Sequence, residues 1–216
     1  MKKTISDIVD MISAPSLNLN TSNKIKELLK IIGKQKKVLD LGSGKKRVAP
    51  EAINIDIVFS PNVDIIGNIH NLPFKDEYFD LLIARAVLEH VKNPMAAVAE
   101  MRRVLKKDGY IYAEIPFLQP YHGAPGDFQR YTLDGIDSLF KDFEKIESGV
   151  CVGPTGAMLG LMHEYAAFLV GIPILRTAVY IILGWLLFPF KYLDLLLIKR
   201  RKAHLIASSL YFVGEK

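Results

Sequence analysis

The 216-residue sequence has a single cysteine, Cys151. An intramolecular disulfide and a cysteine metal cluster are excluded by that, and a reducing compartment is expected. Internal repeats and low-complexity tracts are missing, so neither a solenoid nor a long disordered linker is expected. The opening stretch, MKKTISDIVDMISAPSL, has a basic start but no long apolar core, because Asp7 and Asp10 interrupt it. It does not have the pattern of a signal peptide. An acidic excess is also missing, since the formal net charge is +5. The cations gather at residues 34–37, 45–47 and 199–202 rather than along one face. Nucleic acid is therefore not an expected partner, and the first two clusters suit solvated loops and helix ends.

What the sequence does have is 50% hydrophobic and 24% charged residues, a composition suited to one α/β domain with an appendage. Ile25, Leu28, Leu29 and Ile32 recur at helical spacing over residues 22–32, with Gly33 placed to end the helix. KVLDL is a short apolar run of the kind buried on both faces of a parallel sheet. AINIDIV, VDIIGN and YFDLLIARAV supply a second, third and fourth strand. Residues 94–106 form an amphipathic helix opened by Pro94, and KKDGYIYAEIP is a turn followed by a fifth strand. Alternation of this kind predicts a doubly wound α/β sheet with right-handed crossovers. Ligands of such sheets sit beyond the carboxyl ends of the strands, near the switch point. Gly42 and Gly44 in LDLGSG permit a tight turn and close backbone approach there, and Asp56 ends the next strand.

The segments VLDLGSG, INIDIV, NIHNLPFKDEYFDLLIARAVLEHV and EMRRVLKKDGYIYAEIP together resemble the class I S-adenosylmethionine-dependent methyltransferases, in particular the type 11 branch. The resemblance covers roughly residues 22–150. It implies a Rossmann-like sheet, mostly parallel with an antiparallel last strand, and S-adenosylmethionine as cofactor. It also accounts for Lys45 standing where a dinucleotide fingerprint has its third glycine, because this cofactor carries no pyrophosphate. By the resemblance, Asp40 serves the methionine end of the cofactor, and Gly42, Ser43 and Gly44 form the turn. Asp56 takes the ribose hydroxyls and Ile57 packs on the adenine. Asn68, followed by Ile69, stands where the family often has an acid for the adenine amine, and an amide oxygen can still accept that bond. Ala84 and Arg85 close the fourth strand beside the methionine end. His90 of LEHV is expected to pack the helix rather than to catalyse.

Residues 116–132, PFLQPYHGAPGDFQRYT, bring His122, Asp127, Arg130 and Tyr131 into a loop at the ligand end of the sheet. These four are the expected acceptor-side groups, with His122 suited to act as a base. The alternative is a structural loop in which Asp127 pairs with Arg130. The sequence spacing shows no compact His/carboxylate set, so a metal is not expected.

Residues 156–198 are overwhelmingly apolar, with Pro173 and Pro189 placed to break helices. Apolar stretches on either side of Arg176 fall short of the ~20 residues of a membrane span. The basic run KRRK at 199–202 follows, suited to anionic lipid headgroups. FEKIESGVCVG and LIASSLYFVG are expected to pair as sixth and seventh strands. The intervening segment must then return to the side it left. The expected organisation is an N-terminal extension (1–21), a methyltransferase domain (22–155 plus 203–216) and an apolar helical insertion (156–202). The protein is expected to be cytoplasmic, peripheral or monotopic on an anionic membrane, and to act on a small-molecule or lipid-linked acceptor; the alternative for the insertion is a helical subdomain that buries its apolar residues against the core or in a dimer. A non-catalytic scaffold that keeps the fold is the alternative.

Overall fold

The computed structural model describes residues 17–18, 20–33, 36–44, 47–123 and 125–216. Lys45 lies outside them, and with it the third-glycine position. Helix α1 (Thr21–Ile32) leads into β1 (Val38–Leu41), whose four residues are all buried. Strands β2 (Ile53–Asp56), β3 (Ile65–Ile66) and β4 (Phe79–Arg85) follow. Helix α2 (Pro94–Val104) starts on Pro94, and the Asn93 side chain accepts the Ala96 N–H at 3.1 Å. Strand β5 (Leu105–Pro116) begins directly where α2 ends. A short helix α3 (Leu133–Leu139), capped by Thr132, precedes β6 (Glu144–Val152), and β7 (Ser209–Glu215) ends the chain.

The seven strands form one sheet in the order β3-β2-β1-β4-β5-β7-β6. The pairs from β3 to β5 are parallel, and the last strands run antiparallel. Strand β1 pairs with β2 on one side and β4 on the other, with Leu41 opposite both Ile55 and Ala84. The order therefore reverses at β1, and its carboxyl end is the switch point where open α/β sheets bind ligands. Core residues such as Leu39, Leu82, Ile83 and Tyr112 are wholly buried, which is why the strands read as continuous apolar runs.

The chain divides into two compact units. Thr21–Pro116, His122–Gly149 and Leu210–Lys216 make one; the described residues of Met1–Asn20, with Phe117–Tyr121 and Val150–Ser209, make the other. Within the second unit, α4 (Pro154–Phe168) and α5 (Pro173–Leu187) form a helical hairpin. Glu164 on α4 accepts the Tyr180 hydroxyl and lies 3.4 Å from Arg176 on α5. Beyond α5, a 3-10 turn (Phe188–Leu193) and α6 (Asp194–Leu197) prolong the helical run. Pro189 does not break it, because proline at the start of a 3-10 turn forfeits no hydrogen bond. The apolar stretch after Arg176 is thus continued past Pro189. Pro173–Leu197 is 25 residues, contains a largely exposed window of mean hydropathy 1.6, and is long and apolar enough to cross a membrane by length and composition.

The base of the hairpin is fastened. Asp194, wholly buried, accepts the Thr155 and Gly156 N–H groups, each at 2.9 Å, through separate carboxylate oxygens. It supplies the N-terminal cap that Gly153 has no side chain to provide. Ser208 N–H donates to Val152 C=O at 3.0 Å, so the chain leaves and re-enters at neighbouring points.

Candidate functional site

At the end of β1 the backbone turns with Gly42 at φ 62° and Gly44 at φ 57°. Both angles lie in the left-handed region that side chains resist. A Cβ on Gly42 would also drive into the Val87 side chain. The turn is tied to β2: Gly42 N–H donates to Ile55 C=O at 2.8 Å, and Gly44 N–H to Asp56 Oδ2 at 3.0 Å. Asp56 Oδ1 accepts the Val58 N–H at 3.1 Å. Each of these oxygens keeps a second lone pair for a ligand hydroxyl.

A cleft of about 630 Å³ opens at these strand ends. Of the residues expected to hold a cofactor, Gly42, Asp56, Ile57, Asn68 and Ile69 line it. Asp40, Ser43, Gly44, Ala84 and Arg85 stand behind or beside it. Asp40 is wholly buried, 3.4 Å from the Arg85 guanidinium. Burial pushes its carboxyl up to about 6, against the lowering influence of Arg85. Asp40 Oδ1 and Ser43 Oγ are buried with no partner among the described residues. Such orphaned acceptors cost free energy unless a ligand completes them.

Two expectations need correction. Ala84 is sealed inside the sheet opposite Leu41 and Ala113, so the wall next to the turn is formed by Ala86 and Val87 instead. Ala86 sits at φ 51°, which carries the chain off the strand toward the cleft. Asn68 does line the cleft, but its amide oxygen already accepts the His70 N–H and faces His70 Nδ1, each at 3.0 Å. It is occupied by its own turn and is a poor acceptor for an adenine amine.

The acceptor-side residues cluster, but not on the cleft lining. Arg130 grips Asp127 through both carboxylate oxygens, the pairing of the structural alternative. That guanidinium holds Asp127 down to about 2. Asp127 Oδ2 also accepts the His122 backbone N–H at 2.9 Å, which fixes the loop. Tyr131 is half-buried, its N–H 3.4 Å from Pro116 C=O. His122 reaches Glu89, with Nε2 3.6 Å from Oε1. His90 Nε2 lies 3.8 Å from the same oxygen. His90 lines the cleft as well as packing, because its 3-10 turn (Leu88–His90) places it at the mouth. Glu89 is wholly buried, and both its oxygens lack a hydrogen-bond partner among the described residues. Burial pushes its carboxyl well above the usual range. Sequence spacing missed this group because Glu89 and His122 meet only through the fold. Cleft residues Val87, Val91, Lys92 and Phe128 were missed too; apolar side chains and a lone lysine in loops carry no chemical signature.

The parallel sheet, the switch-point turn and the acid closing the next strand define an α/β protein of the kind that binds nucleoside-containing cofactors. Residues 27–113, less than half of the chain, match the family model described as a methyltransferase domain. The fold is that of the S-adenosylmethionine-dependent methyltransferases. Among solved structures, 1,6-didemethyltoxoflavin-N1-methyltransferase of Burkholderia thailandensis, with bound S-adenosylhomocysteine, superposes at TM-score 0.55. It shares 14% identity, over 90% of this chain and 76% of that one. The [4+2]-cyclase SpnF superposes at TM-score 0.57, with 17% identity over 90% and 81% of the two chains. In sequence, an uncharacterised methyltransferase of Schizosaccharomyces pombe is 44% identical over 46 residues, 21% of this chain and 16% of that protein. The chain spans well under half the length of the first curated relatives it matches, between 16% and 41%.

Proposed function

We propose that the protein binds S-adenosylmethionine in the strand-end cleft and transfers its methyl group to an amphiphilic acceptor, small or lipid-linked, at an anionic membrane surface. The observation that carries this reading is the coupled turn: Gly42 at positive φ against Val87, with the next strand's Asp56 bonded across to Gly44. S-adenosylmethionine supplies a methyl group made electrophilic by its sulfonium. The residues present fit it. Asp56 has lone pairs left for the ribose hydroxyls, and Ile57 and Ile69 offer apolar surface for the adenine. Asp40 Oδ1 is an unpartnered buried carboxylate oxygen suited to the cofactor amine. The acceptor side of the cleft is walled by Val91, Lys92 and Phe128. Enclosure there keeps water from the reacting atoms and holds the two partners in line.

The membrane part of the reading rests on the hairpin. Phe168, Leu169, Ile172, Ile174 and Leu175 are exposed at its tip. Glu164 and Arg176 neutralise each other across it. A 15-residue helix spans ~22 Å, enough to enter one leaflet of a ~30 Å hydrocarbon core and return. Residues 199–202 add cations for anionic headgroups at ~1 kcal/mol each.

Asp56→Ala tests the cofactor assignment. It removes hydrogen bonds to a charged group worth ~1.5–3 kcal/mol each. Calorimetry should show at least a tenfold (~1.4 kcal/mol) loss of S-adenosylmethionine affinity with an unchanged circular-dichroism spectrum. Unchanged affinity would overturn the assignment.

A further inference from the structure

We infer that Glu89, His90 and His122 form a binding site for a divalent transition-metal ion of the zinc class, at the edge of the cleft. Donor atoms of the three residues all lie within 4.8 Å of one another. The Glu89 Oε1 separations, 3.8 Å to His90 Nε2 and 3.6 Å to His122 Nε2, are close to the ~3.3 Å between two ligands of a tetrahedral ion with ~2.0–2.1 Å bonds. The two imidazole rings stand perpendicular, centroids 5.0 Å apart, and are not stacked.

The protonation pattern points the same way. His90 Nδ1 is bonded to the Gly126 carbonyl, which can only accept, so Nδ1 carries the proton. Nε2 is then the nitrogen with the lone pair, and it faces Glu89 Oε1 at 3.8 Å with room for an ion between them. A backbone carbonyl fixing one imidazole nitrogen while the other binds metal is the usual outer-shell arrangement of a histidine ligand. The His122 ring is placed by its neighbours: Arg130 lies 3.4 Å from Nδ1, and Asp127 accepts the His122 backbone N–H.

The pairing of the cluster leaves room for a cation. Arg130 and Asp127 pair with each other. Both Glu89 oxygens are buried with no hydrogen-bond partner among the described residues. Two imidazoles and one carboxylate select zinc and its neighbours over magnesium or calcium, which take all-oxygen sets. Three protein ligands leave one position open, and His90 lines the cleft on that side.

The test uses the full chain, stripped with a chelator, dialysed and titrated with Co²⁺. One equivalent should bind per chain, develop the intense visible bands of a four- or five-coordinate ion, and be displaced by Zn²⁺. His122→Ala changes a half-exposed ring and should keep the fold. It should bind Co²⁺ more than ~100-fold more weakly, beyond the ~10–100-fold that outer-shell changes cost. Glu89→Gln should lose the bands as well, and His204→Ala should keep them. If the wild type binds Co²⁺ no more tightly than His122→Ala does, or shows only the spectrum of the aqua ion, the site is not a metal site and a proton satisfies Glu89 instead.

Discussion

At the ends of β1 and β2, backbone donors of the turn have assigned acceptors: Gly42 on Ile55, Gly44 on Asp56. Buried side-chain atoms there, Asp40 Oδ1 and Ser43 Oγ, are left without partners among the described residues. The α4–α5 hairpin shows the reverse. Its Glu164 and Arg176 side chains are paired, Glu164 with both Tyr180 and Arg176, while large apolar side chains stand in the open. Each region is incomplete chiefly in one respect. One lacks partners for polar atoms, as a site for a polar ligand does. The other lacks cover for apolar surface, as an element facing lipid does.

Replacing Phe168 and Ile174 by serine should give the largest effect that separates the two. Both side chains are exposed at the hairpin tip, so folding should be unaffected. Each would lose ~1.5–3 kcal/mol of burial in lipid. Co-sedimentation with anionic vesicles should fall by roughly 100-fold or more, while S-adenosylmethionine affinity stays the same. Equal vesicle binding by wild type and variant would remove the lipid explanation for the hairpin.

The pH dependence of the cleft is a second lever. Burial raises Asp40 from 3.8 to about 6, so the native state holds this proton more tightly than the unfolded chain. The carboxylate's burial is therefore without cost below about pH 4, and its full penalty is present above about pH 6. Over that window the stability of the wild type relative to Asp40→Asn should fall by about 3 kcal/mol, as measured by urea unfolding. Saturating S-adenosylmethionine should shrink the difference, because an amine beside Asp40 favours the charged form. A flat difference between pH 4 and 7 would show that Asp40 titrates normally.

The smallest effect concerns the hairpin's base. Asp194→Ala removes the acceptor of the Thr155 and Gly156 N–H groups. Loss of a cap costs about 1–2 kcal/mol. Amide exchange over residues 154–197 should accelerate by about 5–30-fold, with β1 to β4 unaffected. Uniform acceleration across the chain would mean that the two regions unfold as one.

Elements fixed by local pattern were legible in the sequence. β1 reads as a strand because all four residues are buried, and Gly42 reads as a turn because its φ excludes a side chain. The start of one helix was marked by Pro94, and periodicity over residues 22–32 marked another, one residue inside the observed Thr21–Ile32. What depends on distant residues was not legible. Nothing near Asp194 says that it caps a helix 39 residues earlier. His122 gives no sign of facing Glu89, and Asn68 gives none that its amide is absorbed by His70. The helix Leu133–Leu139 is too short for its period to stand out. Pro189 misled because its effect depends on whether the surrounding turn is α or 3-10.

The clasp formed by Asp194 and the Ser208–Val152 hydrogen bond makes residues 154–207 a cassette with its own closure. Its tip can gain or lose whole helical turns without altering the register of β6 or β7. Reach beyond the clasp is thus a freely adjustable length, which evolution or an engineer can tune in steps of ~5.4 Å per turn. The same cassette, cut between Val152 and Ser208, could be exchanged for a two-residue turn or for a longer hairpin. The strands it joins would meet the same two chain ends each time.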